Sequence, residues 1–304
     1  MNMMSTKGTI ADAGYSMAWP DKQDLLNGLR KDGYVVFSAK RFSLAAFSEL
    51  ISQFCEILTF DPARQYASSA IQTVDAGKDP VGLHIENGNT PLTPDIVSFY
   101  SAKSARTGSQ TTVCDGISVL ADMPAELIQR FEQPFTMRRR LPKMIWQRYV
   151  ASALNIDSVE SVTMAMLEQF IASVGGQSFV AFNDESIDYS LEVSAIRNDN
   201  LLNQSAFANA LMGPSYNYEA PVYTFADGTP IDEPVLAKLR SIGERHTKEI
   251  KWRDGDVAII DNKRVMHGRR EITVPLEQRL LYIAMGRGVK TDQLGNDFLS
   301  TSAP

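Results

Sequence analysis

The stretch Gly255–Arg270 reads GDVAIIDNKRVMHGRR, and its reading decides the fold class. Gly255-Asp256 can turn the chain into a strand, Val257–Ile260 is an apolar run suited to a buried strand, and Asp261-Asn262 can turn the chain out again. A second strong strand follows at Arg279–Met285. Upstream, Tyr34–Phe37, Ile96–Tyr100 and Thr111–Cys114 are short extended runs, and no alternation of strand and helix suggests a parallel sheet. The expected class is mainly β: an antiparallel sandwich, or jelly roll, decorated with helices.

Working outward from His267, the partner segment is VGLHIENGN at 81–89. On an extended chain residues i and i+2 point the same way, so His84 and Glu86 converge while Ile85 faces the core behind them. Two histidines and one carboxylate, with the remaining faces of a metal left open, form the ligand set of non-haem Fe(II) oxygenases. The triplet alone is weak, because H-x-E arises by chance and a lone histidine is usually a packed core or surface residue. Arg279 strengthens it. On a strand face shared with Leu281, Ile283 and Met285, its charge needs an anionic partner, and a small-molecule carboxylate meets that need through a bidentate pair. Thr111 offers a hydroxyl on a neighbouring strand. Only three histidines occur in the chain, so imidazole chemistry must use His84, His246 or His267.

Composition removes several classes. The 304 residues carry 44 % apolar and 22 % charged side chains, with a net charge of −6. This is the make-up of a folded protein, and a basic footprint for nucleic acid is missing. No apolar run approaches the roughly 18–20 residues that span a bilayer, and the N-terminus lacks the layout of a secretory signal. Two cysteines, Cys55 and Cys114, are too few for a disulfide scaffold. The expectation is a reduced, cytoplasmic, single-domain protein over 1–304, with loose tails at 1–18 and about 290–304.

Along the chain, Asp21 can cap a helix carrying Leu25, Leu26 and Leu29, with Gly33 as its stop. Ser43 opens a second, with Phe47, Leu50, Ile51 and Phe54 on one stripe and Cys55 closing it by packing. Pro124 begins a third, with Leu127, Ile128 and Phe131. The Asp157/Glu160 spacing suggests a capping box for a helix through Val174, stopped by Gly175-Gly176. A further helix is expected over about 233–248.

These pieces together resemble the taurine dioxygenase and clavaminate synthase-like family of Fe(II)/2-oxoglutarate-dependent oxygenases. The matching segments are DLLNGLRKDGYVVF at 24–37, the His84-Ile85-Glu86 triplet, GSQTTVCDG at 108–116 with ADMPAEL at 121–127, and GDVAIIDNKRVMHGRR with the downstream Gln278–Leu281. The resemblance implies a double-stranded β-helix core with flanking helices and a helical insertion, over about 143–250, between the triplet and the distal histidine. It implies that His84, Glu86 and His267 bind Fe(II) and carry catalysis. It implies that Arg279 pairs with the distal carboxylate of 2-oxoglutarate, with Thr111, or Thr112 one register on, bonding the same group. Three protein ligands then leave three positions on an octahedral ion, two for 2-oxoglutarate and one for O2.

Two departures matter. Taurine dioxygenase has Asp where this chain has Glu86, which tilts the resemblance toward clavaminate synthase-like members, and Glu86 fills the position that related halogenases leave for chloride. The second arginine often found shortly after the cosubstrate arginine is replaced by Tyr282-Ile283. Substrate-binding residues are therefore unassigned. The expected activity is hydroxylation, desaturation, epoxidation or cyclisation at an aliphatic carbon of a small amino-acid-like or natural-product substrate. The alternatives are a metal-dependent cupin-type isomerase or lyase, or a non-catalytic jelly-roll binding module.

The other conspicuous residues have ordinary readings. His246 falls on the charged side of its helix. Arg138–Arg140 alternate across a strand, with one or two of them partnering carboxylates. Arg269 and Arg270, directly after His267, are expected to point away. Tyr216, Tyr218, Phe179 and Phe182 are read as core or pocket wall.

Overall fold

The computed structural model describes residues 6–12, 15–20, 22–39, 43–62, 64–213 and 220–290. Its frame is two facing antiparallel sheets, and the two arms of the Gly255–Arg270 stretch go one to each. Asp256–Asp261 enters a seven-stranded sheet between Tyr34–Ser38 and Ile96–Lys103. After the Asp261-Asn262 turn, Val265–Arg269 enters a four-stranded sheet between Thr111–Asp115 and Val81–His84. The fold is a jelly roll, as the strand pattern implied.

The apolar run has a reason to be unbroken, because both of its faces are covered. Val257 and Ile259 face outward into a layer built by the helices Lys22–Asp32 and Leu44–Phe54. That layer brings Leu25, Leu29, Phe47, Leu50 and Ile51 onto the sheet, and Ser43 Oγ caps the second helix by accepting from Ala46 N at 3.1 Å. Ala258 and Ile260 face inward, between the sheets, with Val97, Phe99, Val113, Ile283 and Met285. Each large side chain so buried contributes about 1.5–3 kcal/mol relative to exposure.

Between Gly116 and Arg245 the chain leaves this frame. Among the described residues it forms five α-helices, a short 3-10 helix and a four-stranded sheet of Gln177–Ala181, Ile187–Val193, Phe135–Leu141 and Val222–Thr224, around its own apolar core. Thr247–Ile250 then rejoins the frame as the edge of the smaller sheet, against Thr111–Cys114. No helix among the described residues is long and apolar enough to cross a membrane.

Several local readings change. Residues 6–12 and 15–20 pair as an antiparallel hairpin where a loose lead-in was expected. The mid-chain helix runs Met164–Val174 and is capped by Thr163, whose Oγ1 accepts from Met166 N at 3.3 Å; Asp157 caps nothing there. Val162 has an extended backbone, and Gln147 on the helix Lys143–Leu154 donates to its carbonyl at 2.7 Å, so the helix begins only after it. Gly175 and Gly176 do end the helix, both with positive φ. Phe182 is no wall of the core, being 40 % exposed with the Arg140 guanidinium over its ring. Asp21, Tyr216, Tyr218 and the tail beyond 290 lie outside the described residues.

Candidate metal centre

Strand register does the first part of the assembly. His84 and His267 are cross-strand partners, with ring centroids 4.5 Å apart. Gly268 permits the approach, since a Cβ there would stand 2.5 Å from Val81 O. Phe99 from the facing sheet lies edge-on to His267 at 5.3 Å and backs it from inside. Ile85 is buried in the insertion core while Glu86 turns back toward the rings, as the i, i+2 rule requires. Glu86 Oε2 lies 3.1 Å from His267 Nε2 and 3.8 Å from His84 Nε2. One donor atom from each of the three residues falls within 4.8 Å of the others.

The electrostatics suit a cation. Burial pushes the His84 imidazolium down to about 4, His267 adds to the shift, and Glu86 and the Gly82 carbonyl oppose it. His84 is therefore neutral at physiological pH. Its Nδ1 lies 2.8 Å from Gly82 O and serves as the donor of that bond, which leaves the Nε2 lone pair directed at the cluster. Burial resists ionisation of Glu86, yet Arg64 beside it and the hydrogen bond with His267 hold the carboxyl well below the usual range. A neutral imidazole and an ionised carboxylate are the forms a metal requires, so the residues present fit Fe(II).

A second polar region lies at the other end of the inter-sheet core. Arg279 precedes the strand Leu280–Val289, continues the inward face of Leu281, Ile283 and Met285, and donates to Val74 O at 3.3 Å. Burial, and then the nearby Arg269, lower its pKa to about 10, a sign of a guanidinium lacking an anion. It lines a cavity of about 130 Å³ with Ser101, Ser109, Gln110, Trp252 and Leu281. Trp252 also donates from Nε1 to Thr111 Oγ1 at 2.9 Å, which leaves the threonine hydroxyl proton for another acceptor. Thr112, the alternative one register on, does not share this contact.

Arg269 corrects the sequence reading. It lies opposite Thr111 in the register and is buried, with Nη2 donating to the carbonyls of Ala76, Gly77 and Asp79. It points inward because it stands two residues after His267 on one strand. Arg270 does point away, to Glu244 and Glu249. His246 is not part of the triad, with Nε2 2.9 Å from Asp122 Oδ2 in a surface hydrogen bond. Arg138 and Arg140 likewise hold Asp188 and Asp184 on the insertion sheet.

The profile of the taurine catabolism dioxygenase TauD, TfdA family matches residues 10–285. The chain belongs to this family. It is thus an oxidoreductase of the TauD, TfdA dioxygenase kind. A clavaminate synthase-like protein of Arabidopsis thaliana is 28 % identical over 89 residues, a stretch spanning 27 % of this chain and 27 % of that protein. Three solved structures share the fold. Asparagine oxygenase, in complex with Fe(II), 2S,3S-3-hydroxyasparagine and succinate, superposes with a TM-score of 0.55 at 14 % identity, covering 87 % of this chain and 78 % of that one. A taurine dioxygenase from Burkholderia xenovorans gives 0.54 at 13 % identity, over 88 % and 82 %. PvcB from Pseudomonas aeruginosa gives 0.54 at 13 % identity, over 88 % and 80 %.

Against the TauD, TfdA frame, two further residues of the centre were not read from the sequence. Arg64 bonds Glu86 Oε1 directly. Asn262, fully buried, accepts from Glu86 N at 2.9 Å and donates to Glu86 O at 3.2 Å and to Pro94 O at 2.9 Å. Asn262 was visible only as a turn residue, and Arg64 carried no signal at all.

Proposed function

We propose that this protein is an Fe(II)/2-oxoglutarate-dependent oxygenase acting on an aliphatic carbon of a small, amino-acid-like substrate. The convergence of His84, Glu86 and His267 carries the reading. These three residues would hold Fe(II), and Arg279 with Thr111 would hold the remote carboxylate of 2-oxoglutarate. Membership of the TauD, TfdA family supports the class, and the shared fold of asparagine oxygenase supports an amino-acid-like substrate.

Bound iron, with 2-oxoglutarate and O2, supplies the oxidant for the C–H bond. The overall change is balanced: 2-oxoglutarate, O2 and R–H give succinate, CO2 and R–OH. The protein's part is placement. His84 would present a neutral nitrogen, His267 a second imidazole, and Glu86 one negative charge. Phe99 and the inter-sheet core beside His267 keep water from the inner side of the centre. Arg279 replaces the solvation that a carboxylate loses on entering an apolar barrel, through a two-donor fork.

Anaerobic titration of the metal-free protein tests this. Adding Fe(II) and then 2-oxoglutarate should produce a metal-to-ligand charge-transfer band that neither addition gives alone. Absence of the band with one equivalent of iron bound would refute the use of 2-oxoglutarate.

A further inference from the structure

Arg64 reaches the centre from a connection between two strands of the larger sheet. It sits in a turn closed by Arg64 N donating to Asp61 O at 3.0 Å, between the strands Cys55–Thr59 and Tyr66–Ser68. The turn is pinned to the larger sheet by Gln72, a buried residue of the strand Ile71–Thr73. Gln72 Oε1 accepts from Asp61 N at 2.9 Å, and its Nε2 donates to Asp61 O at 2.7 Å. The Asp61 carboxylate in turn lies 3.4 Å from Arg64 Nε. Arg64 is thus carried to Glu86 by a relay of fixed contacts.

The two oxygens of Glu86 consequently differ. Oε1 accepts from the Arg64 guanidinium, whereas Oε2 faces both histidines. Asn262 grips the backbone of the same residue at its N–H and its carbonyl, which fixes the main chain from which the carboxylate extends. A carboxylate binds a metal through one oxygen or through both. A charge-assisted bond to Oε1 takes one of that oxygen's lone pairs and puts a positive charge beside it, which disfavours a second metal bond there.

We propose that Arg64 is a positioning residue that confines Glu86 to one-oxygen ligation through Oε2. This rests on the assignment of His84, Glu86 and His267 as metal ligands. Its consequence is a coordination position kept open. Three protein donor atoms leave three exchangeable positions on an octahedral ion, and a two-oxygen Glu86 would leave two.

The test uses Mn(II) as a redox-silent probe, without 2-oxoglutarate. Water-proton relaxivity of the Mn(II)-loaded protein reads the number of metal-bound waters. Arg64→Met should lower it by about one third, from three waters toward two. Affinity of the Mn(II) form for 2-oxoglutarate should weaken about tenfold or more, the size of effect that residues supporting a metal ligand exert. Arg64→Lys should recover part of both. Where Arg64→Met does not fold, Arg64→Gln carries the same expectation. Unchanged relaxivity in a folded variant with one Mn(II) bound would overturn the proposal. So would failure of a folded variant to bind Mn(II), because Arg64 would then hold Glu86 in place without selecting its mode. Failure of the unsubstituted protein to bind Mn(II) would instead strike at the metal-centre assignment itself.

Discussion

Asn262 holds Glu86 by its backbone, accepting from the Glu86 N–H at 2.9 Å and donating to the Glu86 carbonyl at 3.2 Å. The residue that turns the chain from one sheet to the other therefore also fixes the acidic member of the triad. Asn262→Ala leaves three buried backbone groups without their partner, the Glu86 N–H and the carbonyls of Glu86 and Pro94, at about 1–3 kcal/mol each. The expected result is a lower melting temperature together with weaker metal binding. Asn262→Asp should be no rescue, because a carboxylate cannot donate to Glu86 O. Thermal unfolding with and without Mn(II) checks both points, and an Asn262→Ala protein with undiminished metal affinity would refute the positioning role.

His84 gives the metal-free protein an acid sensitivity of definite sign. Its folded pKa is about 4 against an ordinary 6.5, so the unfolded chain takes up the proton first as pH falls. Stability from this residue is full above pH 6.5 and is lost progressively down to about pH 4, with a total near 3 kcal/mol. Glu86, also lowered, acts in the same direction at more acidic pH. Denaturant midpoints of metal-free protein, measured from pH 7 to pH 4, should fall more steeply for the natural chain than for His84→Gln. Parallel curves would refute the burial argument.

The three donors should be separable from the third histidine. His84→Ala, Glu86→Ala and His267→Ala should each retain the fold and lose iron retention or turnover, since each removes a ligand atom from the cluster. His246→Ala should leave both unchanged, because its partner is Asp122 on a neighbouring helix. Iron content after gel filtration, beside succinate formation, tells these outcomes apart. Full activity of any triad variant under limiting iron would remove that residue from the ligand set.

Glu86→Gly in the presence of chloride should abolish hydroxylation with only a modest loss of stability. Opening a coordination position does not by itself orient a substrate toward chloride. Mass analysis of the products decides it, and retained hydroxylation would show that Glu86 is not a ligand.

What was legible in the sequence was what local periodicity encodes. The His84/Glu86 pair followed from the two-residue repeat of an extended chain, and the apolar run Val257–Ile260 announced a strand covered on both sides. Arg269 obeys the same repeat as His267, so its inward direction was available, and treating it together with Arg270 as a direct successor of His267 hid it. Arg64 was illegible for a different reason. Its place depends on Gln72 clamping Asp61, a contact between a turn and a strand that no spacing rule reports. The helix start at Thr163 was hidden likewise, because the residue before it is extended and bonded to Gln147 on another helix.

Arg279 provides the sharpest separation of metal from cosubstrate. It has a backbone carbonyl for a partner and Arg269 as an electrostatic neighbour, so it gains most from an incoming carboxylate. Arg279→Leu should raise the 2-oxoglutarate requirement tens- to thousands-fold, the equivalent of about 2–5 kcal/mol for one half of a desolvated charged pair. Fe(II) binding should barely change, because no donor atom is touched. Arg279→Lys should rescue in part, since an ammonium lacks the planar fork. Thr111→Val should show a smaller defect of the same kind, about 1.5–3 kcal/mol. Arg269→Leu should differ in character: its Nη2 holds the carbonyls of Ala76, Gly77 and Asp79, so stability should fall along with cosubstrate affinity. Separate titrations of metal and 2-oxoglutarate, beside melting curves, distinguish the three. Normal 2-oxoglutarate binding by Arg279→Leu would transfer the anion to Arg269 and leave the Arg279 cavity without a role in the cosubstrate site.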